Sequence, residues 1–175
     1  FGPDYNLGNY INSISGRHML LWNGGCHVHE KFSVQAIATL KRRYPDALVM
    51  AHLECKAPVL AMADVKGSTA AMLTYAQAHP EQKQFIVATE AGILFELQRR
   101  CPGQEFIPVP PEVSEGEQLD STVPTSCTCN ECEFMKLNTL EKIIAALEHL
   151  QPEVTIPEDI ARDAVKPIER MLELS

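Results

Sequence analysis

Ser33-Val34-Gln35-Ala36-Ile37-Ala38-Thr39-Leu40-Lys41-Arg42-Arg43-Tyr44-Pro45-Asp46-Ala47-Leu48-Val49-Met50-Ala51-His52-Leu53-Glu54-Cys55 changes its period midway, and that change decides the fold. Val34, Ile37 and Leu40 recur on one face at helical spacing, so a helix is expected over 33–44. Ala47 to Ala51 is a continuous apolar run bounded by Pro45-Asp46 and by polar residues, the pattern of a strand covered on both faces. His52 and Glu54 then emerge at the strand's carboxyl end, which is where ligands bind in open α/β sheets. The competing explanation of this pair is a surface ion pair, and Cys55 is expected to pack rather than to ligate.

The alternation extends in both directions. Met19 to Trp22 is expected as a strand; beyond the quoted stretch follow a helix over 59–63, a short strand near Val65 and a helix over 70–78. A strand over 85–88, a helix over 92–100 and a strand over 105–109 complete the series. Such alternation implies α/β layers with parallel strands. From Pro108 to Pro124 the chain turns to proline, glutamate and serine, a long exposed loop. Leu137, Leu140, Ile144 and Leu147 return to helical spacing, and a final helix over 158–174 is expected to bend at Pro167.

The chain has 175 residues, 45% of them hydrophobic, enough for a true core. Its net charge of -8 opposes phosphate backbones and anionic lipid, and Lys41-Arg42-Arg43 is a helix end favoured by the dipole, so nucleic acid is not an expected partner. No apolar run approaches the roughly 20 residues of a membrane helix. The expectation is a soluble, cytoplasmic protein, plastid-targeted if the source is a plant. Phe1-Gly2-Pro3-Asp4 has the character of an interior segment of something longer.

Two thiol-bearing segments carry the chemistry. Gly24-Gly25-Cys26-His27-Val28-His29 offers a thiolate and an imidazole three residues apart after a glycine turn, and Cys127, Cys129 and Cys132 crowd one loop. Cys26, His29, Cys129 and Cys132 could form a Cys3His zinc site, and the spacing leaves an iron-sulfur site equally open. The alternatives are a small buried hydrophobe at Cys26 and a redox-labile loop at 127–132. Both segments are read as lying between a strand and a helix, which hints at two diverged copies of one unit. Gly67-Ser68-Thr69 opens a helix whose free N–H groups and two hydroxyls suit a phosphate or carboxylate, although Ser and Thr there are also ordinary caps. Glu90 in Thr89-Glu90-Ala91-Gly92 favours the next helix's start.

Taken in order, Trp22 to His29, His52-Leu53-Glu54-Cys55, Gly67-Ser68-Thr69, Ala88-Thr89-Glu90 and Cys132 to Leu140 resemble the motifs of quinolinate synthase, and the likeness runs from Phe1 to Leu172. The resemblance implies an α/β fold of three-layer αβα units in a pseudo-symmetric repeat around a central 4Fe-4S cluster, each unit giving one cysteine. Cys26 and Cys132 match two of these metal ligands, and the first unit with the third cysteine is missing from this chain. Residues 1–46 would be the remainder of the second unit, 47–150 the third, and 151–175 a C-terminal helical tail.

The implied activity is a transferase of NAD biosynthesis that condenses iminoaspartate with dihydroxyacetone phosphate to quinolinate, the cluster serving as Lewis acid. The implied partners are the missing N-terminal domain and aspartate oxidase as supplier of iminoaspartate, and this chain alone is expected to be inactive. By motif, Glu54 and His52 are the catalytic pair, and His29, His52, Glu54, Ser68 and Thr69 bind substrate. Two departures stand out. The family's His-Pro-Glu is His52-Leu53-Glu54 here, which frees the turn that aims Glu54. Cys127-x-Cys129-x-x-Cys132 differs from the evenly spaced triplet of some members, and thiols one residue apart close only a strained bridge.

Overall fold

The computed structural model describes residues 1–111 and 130–174, which fall into two compact units, Phe1–Glu133 and Phe134–Ser175. In the first unit, α1 (Tyr5–Ser15) and α2 (Val34–Arg43) precede β1 (Leu48–His52), α3 (Ala57–Ala61), β2 (Val65–Gly67) and α4 (Thr69–Ala78). β3 (Gln84–Ala88), α5 (Ile93–Arg100) and β4 (Glu105–Pro108) complete it. The strands form one parallel sheet in the order β2-β1-β3-β4. From β1 the chain steps outward to β2, then crosses back to β3, so the direction of winding reverses between β1 and β3. In open α/β sheets such a reversal, at the strands' carboxyl ends, is where ligands bind.

The two faces of the sheet separate by residue parity. Val49, Ala51, Ile86, Ala88 and Ile107 pack with Val28, Phe32, Ile37, Val59 and Leu60 from the α2/α3 side. Met50, Phe85 and Val87 pack with Met72, Ala76 and Leu97 of α4 and α5. The two central strands, β1 and β3, are therefore covered on both faces, as their apolar runs require. The result is a helix–sheet–helix sandwich. Burial of Phe32, Ile37, Phe85, Ile86 and Leu97 to 0% exposure contributes about 1.5–3 kcal/mol per side chain before entropy is counted.

Local polar groups set the element ends. The Ser33 hydroxyl accepts from Ala36 N–H at 3.2 Å to cap α2. At the other end Lys41 donates to the carbonyls of Pro45 and Ala47, so the basic cluster does more than sit in solvent: it fastens the α2–β1 turn. Asp64 is bonded to Val49 in both directions, its N–H to the Val49 carbonyl and its carboxylate to the Val49 N–H, which fixes where β1 begins. Below the sheet, the amide nitrogen of Gln104 reaches the carbonyls of Ala76, His79 and Gln82.

One expected strand does not form. Met19 to Trp22 is irregular, because no strand lies beside it and its polar groups are taken locally: Asn12 bonds both ways with Met19, and Phe1 pairs with Leu20 and Trp22. Cys26 is therefore preceded by irregular chain, not by a strand, and is followed by a single 3-10 turn, His29–Lys31.

In the second unit a 3-10 turn (Met135–Leu137) leads into α6 (Leu140–His149), capped by the Thr139 hydroxyl. α7 (Glu158–Glu173) runs on through Pro167. The turn separates Cys132 from α6, so the cysteine is not directly at the start of that helix. Cys127 and Cys129 lie outside the described residues.

Candidate metal-binding and catalytic site

Three segments meet at the carboxyl end of the sheet, at the β1/β3 reversal. β1 delivers His52, then a turn closed by the Cys55 N–H to the His52 carbonyl at 2.9 Å. The Glu54 N–H also reaches His52 Nδ1 at 3.3 Å, so the turn is held by two hydrogen bonds to His52. β3 delivers Thr89. The segment 26–29 delivers Cys26 and His29. Ligand-type atoms of Cys26, His29 and Glu54 all lie within 4.8 Å of one another.

His29 is the hub. Its Nε2 is 2.9 Å from the Thr89 hydroxyl, and either tautomer closes that bond because a hydroxyl both donates and accepts. Its Nδ1 lies 3.1 Å from Glu54 Oε2 but is out of line, so this buried nitrogen makes no hydrogen bond. The contact is not an ion pair either. Burial lowers the His29 pKa to about 4, with the neighbouring His52 adding to the effect, so the ring is neutral near pH 7. His52 stacks on it with ring centres 4.7 Å apart. Burial lowers the His52 pKa too, against the opposing pull of Glu54 and Asp4. Two neutral imidazoles thus flank a carboxylate that is only partly buried.

The segment carrying Cys26 is pinned from α1, an element absent from the expected series. Asp4 caps α1 through Asn6 N–H at 2.6 Å and Leu7 N–H at 3.0 Å, and its second oxygen accepts the Cys26 N–H at 2.7 Å. Glu30 accepts from the Tyr5 hydroxyl and the Asn6 amide, both at 2.6 Å. Burial would raise the Glu30 carboxyl, but these two bonds and the Lys56 charge outweigh it and hold the pKa low. A Cβ on Gly25 would stand 2.7 Å from the Tyr5 ring, so only glycine lets the loop lie this close. Asp4, Tyr5, Asn6, Glu30 and Thr89 are site residues that sequence reasoning did not single out.

Cys26 and Cys132 pack, partly buried, against the same hydrophobic core. The Cys132 N–H is accepted by Glu90 at 3.3 Å, and Ala91 N–H is bonded to the Asn130 carbonyl. All four described cysteines are free thiols. Cys55 is different in kind: it is fully buried, its thiol faces the Ala88 carbonyl, and burial pushes its pKa up to about 12. Burial also raises Cys101. Neither is poised to become a thiolate. The partly buried Cys26 thiol, gathered with His29 and Glu54, is a donor set that suits a soft or borderline metal centre, whereas Cys132 joins no such group among the described residues.

Ser68 and Thr69 stand at the α4 start, both exposed. The Ser68 hydroxyl accepts from Ala71 N–H at 3.2 Å and so caps the helix. Gly67 leaves no room for a side chain, since a Cβ there would meet Ala71 at 2.7 Å.

The sheet is thus that of an α/β protein in which paired histidines, a carboxylate and the Cys26 thiol gather at the topological reversal, a group that could hold a metal ion. The chain belongs to the family described as NadA, Quinolinate synthetase A protein, which matches residues 1–173. It is 50% identical over all 175 residues to the quinolinate synthase of Chloroherpeton thalassium, 49% to that of Thermosynechococcus vestitus and 43% to that of Synechocystis sp.. The match covers 100% of this chain and 51% of each of these three relatives. The chain therefore spans about half the length of the curated relatives it matches. No helix among the described residues is long and apolar enough to cross a membrane.

Proposed function

We propose that this chain is a part of a quinolinate synthase that condenses iminoaspartate with dihydroxyacetone phosphate, a cytoplasmic transferase of NAD biosynthesis. The observation that carries this is the meeting of Cys26, His29 and Glu54 within 4.8 Å at the sheet reversal, in a chain of that family. Residues 1–46 would close one αβα unit, 47–150 would form the next and 151–175 a tail, in a pseudo-symmetric arrangement whose remaining unit lies in another part of the protein. Aspartate oxidase would supply iminoaspartate.

Cys26 and Cys132 would hold two corners of a 4Fe-4S cluster, which when bound supplies an open iron able to act as a Lewis acid. Glu54 would take and return protons at its carboxylate as water is lost. It is close enough to His29 to share a substrate, and partial burial keeps it reachable. His29, neutral and braced by Thr89, would donate from Nδ1 to a substrate oxygen. His52, stacked on it, would shape the pocket and exchange a proton with Glu54. Ser68 and Thr69, with the N–H groups of α4, would hold the phosphate or a carboxylate.

The donor set of one thiol, one imidazole and one carboxylate also favours a second reading, a noncatalytic module stabilised by zinc. Anaerobic purification of the protein containing this chain separates the two. Brown protein with stoichiometric iron and sulfide supports the synthase; colourless protein with one zinc overturns it. On the first reading the 175 residues alone do not make quinolinate, because two thiolates hold a cluster poorly.

A further inference from the structure

The backbone amides of Cys26 and Cys132 share one device. Asp4 Oδ2 accepts the Cys26 N–H at 2.7 Å while Oδ1 caps α1 at Asn6 and Leu7. Glu90 Oε1 accepts the Cys132 N–H at 3.3 Å while Oε2 takes the Gly92 N–H at 2.7 Å, in the turn that opens α5. In each case a single carboxylate divides its two oxygens between a helix start and a cysteine amide. The arrangement demands a carboxylate, since an amide or hydroxyl side chain offers only one acceptor oxygen. Asp4 is 5% exposed, so its charge is kept out of water and matched by three N–H donors and the positive end of α1.

We propose that Asp4 and Glu90 are positioning residues, each tying a cysteine's backbone to the start of a rigid helix so that the two thiolates face a common centre in fixed directions. The inference rests on the reading of Cys26 and Cys132 as ligands. A bond to the amide leaves the thiol itself free for metal, and it removes the loop freedom that would otherwise be lost on ligation. The Asp4 charge also acts on His29 and His52, favouring their protonated forms against burial. Sequence alone assigns Glu90 only to its helix.

Two substitutions separate the cysteine bond from the helix bond. Asp4→Ser keeps a good cap for α1 but is too short to reach Cys26, and Glu90→Asp keeps a side chain able to close the turn to Gly92 but withdraws from Cys132. In protein carrying this chain and loaded anaerobically with iron and sulfide, each is expected to lose iron to a chelator about tenfold faster, the lower end for an outer-sphere partner. Each is also expected to alter the electron paramagnetic resonance spectrum of the reduced cluster while the melting temperature of the metal-free protein holds. Wild-type iron loss and spectrum, with or without a lowered melting temperature, overturn the inference. If Asp4→Ser does not fold, Glu90→Asp decides on the same two readouts. Cys26→Ser and Cys132→Ser run alongside: iron retained in these would sink the ligand reading itself, and iron lost in these but held in the carboxylate variants sinks only the inference.

Discussion

His29 Nδ1 lies 3.1 Å from Glu54 Oε2, yet the two form neither a hydrogen bond nor an ion pair. A buried nitrogen left without a partner costs about 1–3 kcal/mol, a strain that a bound ligand would relieve. The pair is aimed at something other than itself.

Glu54→Gln keeps the shape of the turn but removes a proton acceptor. In cluster-loaded protein carrying this chain, turnover is expected to fall on the order of 100-fold or more with iron content unchanged. Single-turnover rates beside iron assays check this, and an unaffected rate would return Glu54 to a surface pairing with His52.

Thiol burial divides the cysteines into two sets. Cys26→Ala and Cys132→Ala are expected to abolish bound iron, whereas Cys55→Ala and Cys101→Ala retain it, because the latter thiols are buried with raised pKa values. The Cys55 change removes a packed side chain and lowers the melting temperature instead. Equal iron loss in all four would show the ligands to be misassigned.

Ser68 and Thr69 are distinguishable by what each hydroxyl already does. Ser68→Ala loses the cap to Ala71 and is expected to cost about 1 kcal/mol of stability. Thr69→Ala, with no such bond shown, is expected to leave the melting temperature in place and raise the Michaelis constant for dihydroxyacetone phosphate. Urea titration and steady-state kinetics on both variants decide it; a Thr69 variant with normal kinetics removes the anion site.

Acid acts through His29. Its folded pKa is lowered to about 4 from the ordinary histidine value of 6.5, so between those limits the unfolded chain takes up a proton that the native ring refuses. This stability is fully present above the unfolded value and is lost as pH falls toward about 4, by on the order of 3 kcal/mol in all. The metal-free chain unfolded in urea at about pH 7 and about pH 5 is expected to show the loss, and His29→Gln to reduce it to the part that His52, also lowered by burial, contributes. Parallel slopes in the two proteins would rule His29 out as the cause.

The sheet was legible because its strands at 48–52, 84–88 and 105–108 are apolar runs between helices of clear period. α1 was obscured by the asparagines, glycine and serines of Tyr5–Ser15, among which Leu7, Ile11 and Ile14 do recur at helical spacing, and its start depends on Asp4, whose role is tertiary. Met19 to Trp22 misled for the converse reason. Four apolar residues in a row have strand character, but Leu20 is 90% exposed and no strand among the described residues pairs with it. Within the site, His52 and Glu54 were readable from their place after a strand. Thr89 and Asp4 were not, since each acts on a residue distant in sequence, His29 and Cys26 respectively.

The two outer strands of the sheet are poor templates for a further strand. β2 spans three residues with Lys66 exposed, and β4 ends at Pro108. Because Val109 donates inward to the Val87 carbonyl, alternation turns the position of Pro108 outward, where the absent N–H removes a donor from the edge that β4 forms among the described residues. Edge-to-edge polymerisation into fibrils is thereby discouraged in a sheet whose interior strands, rich in valine, isoleucine and phenylalanine, would otherwise be prone to it.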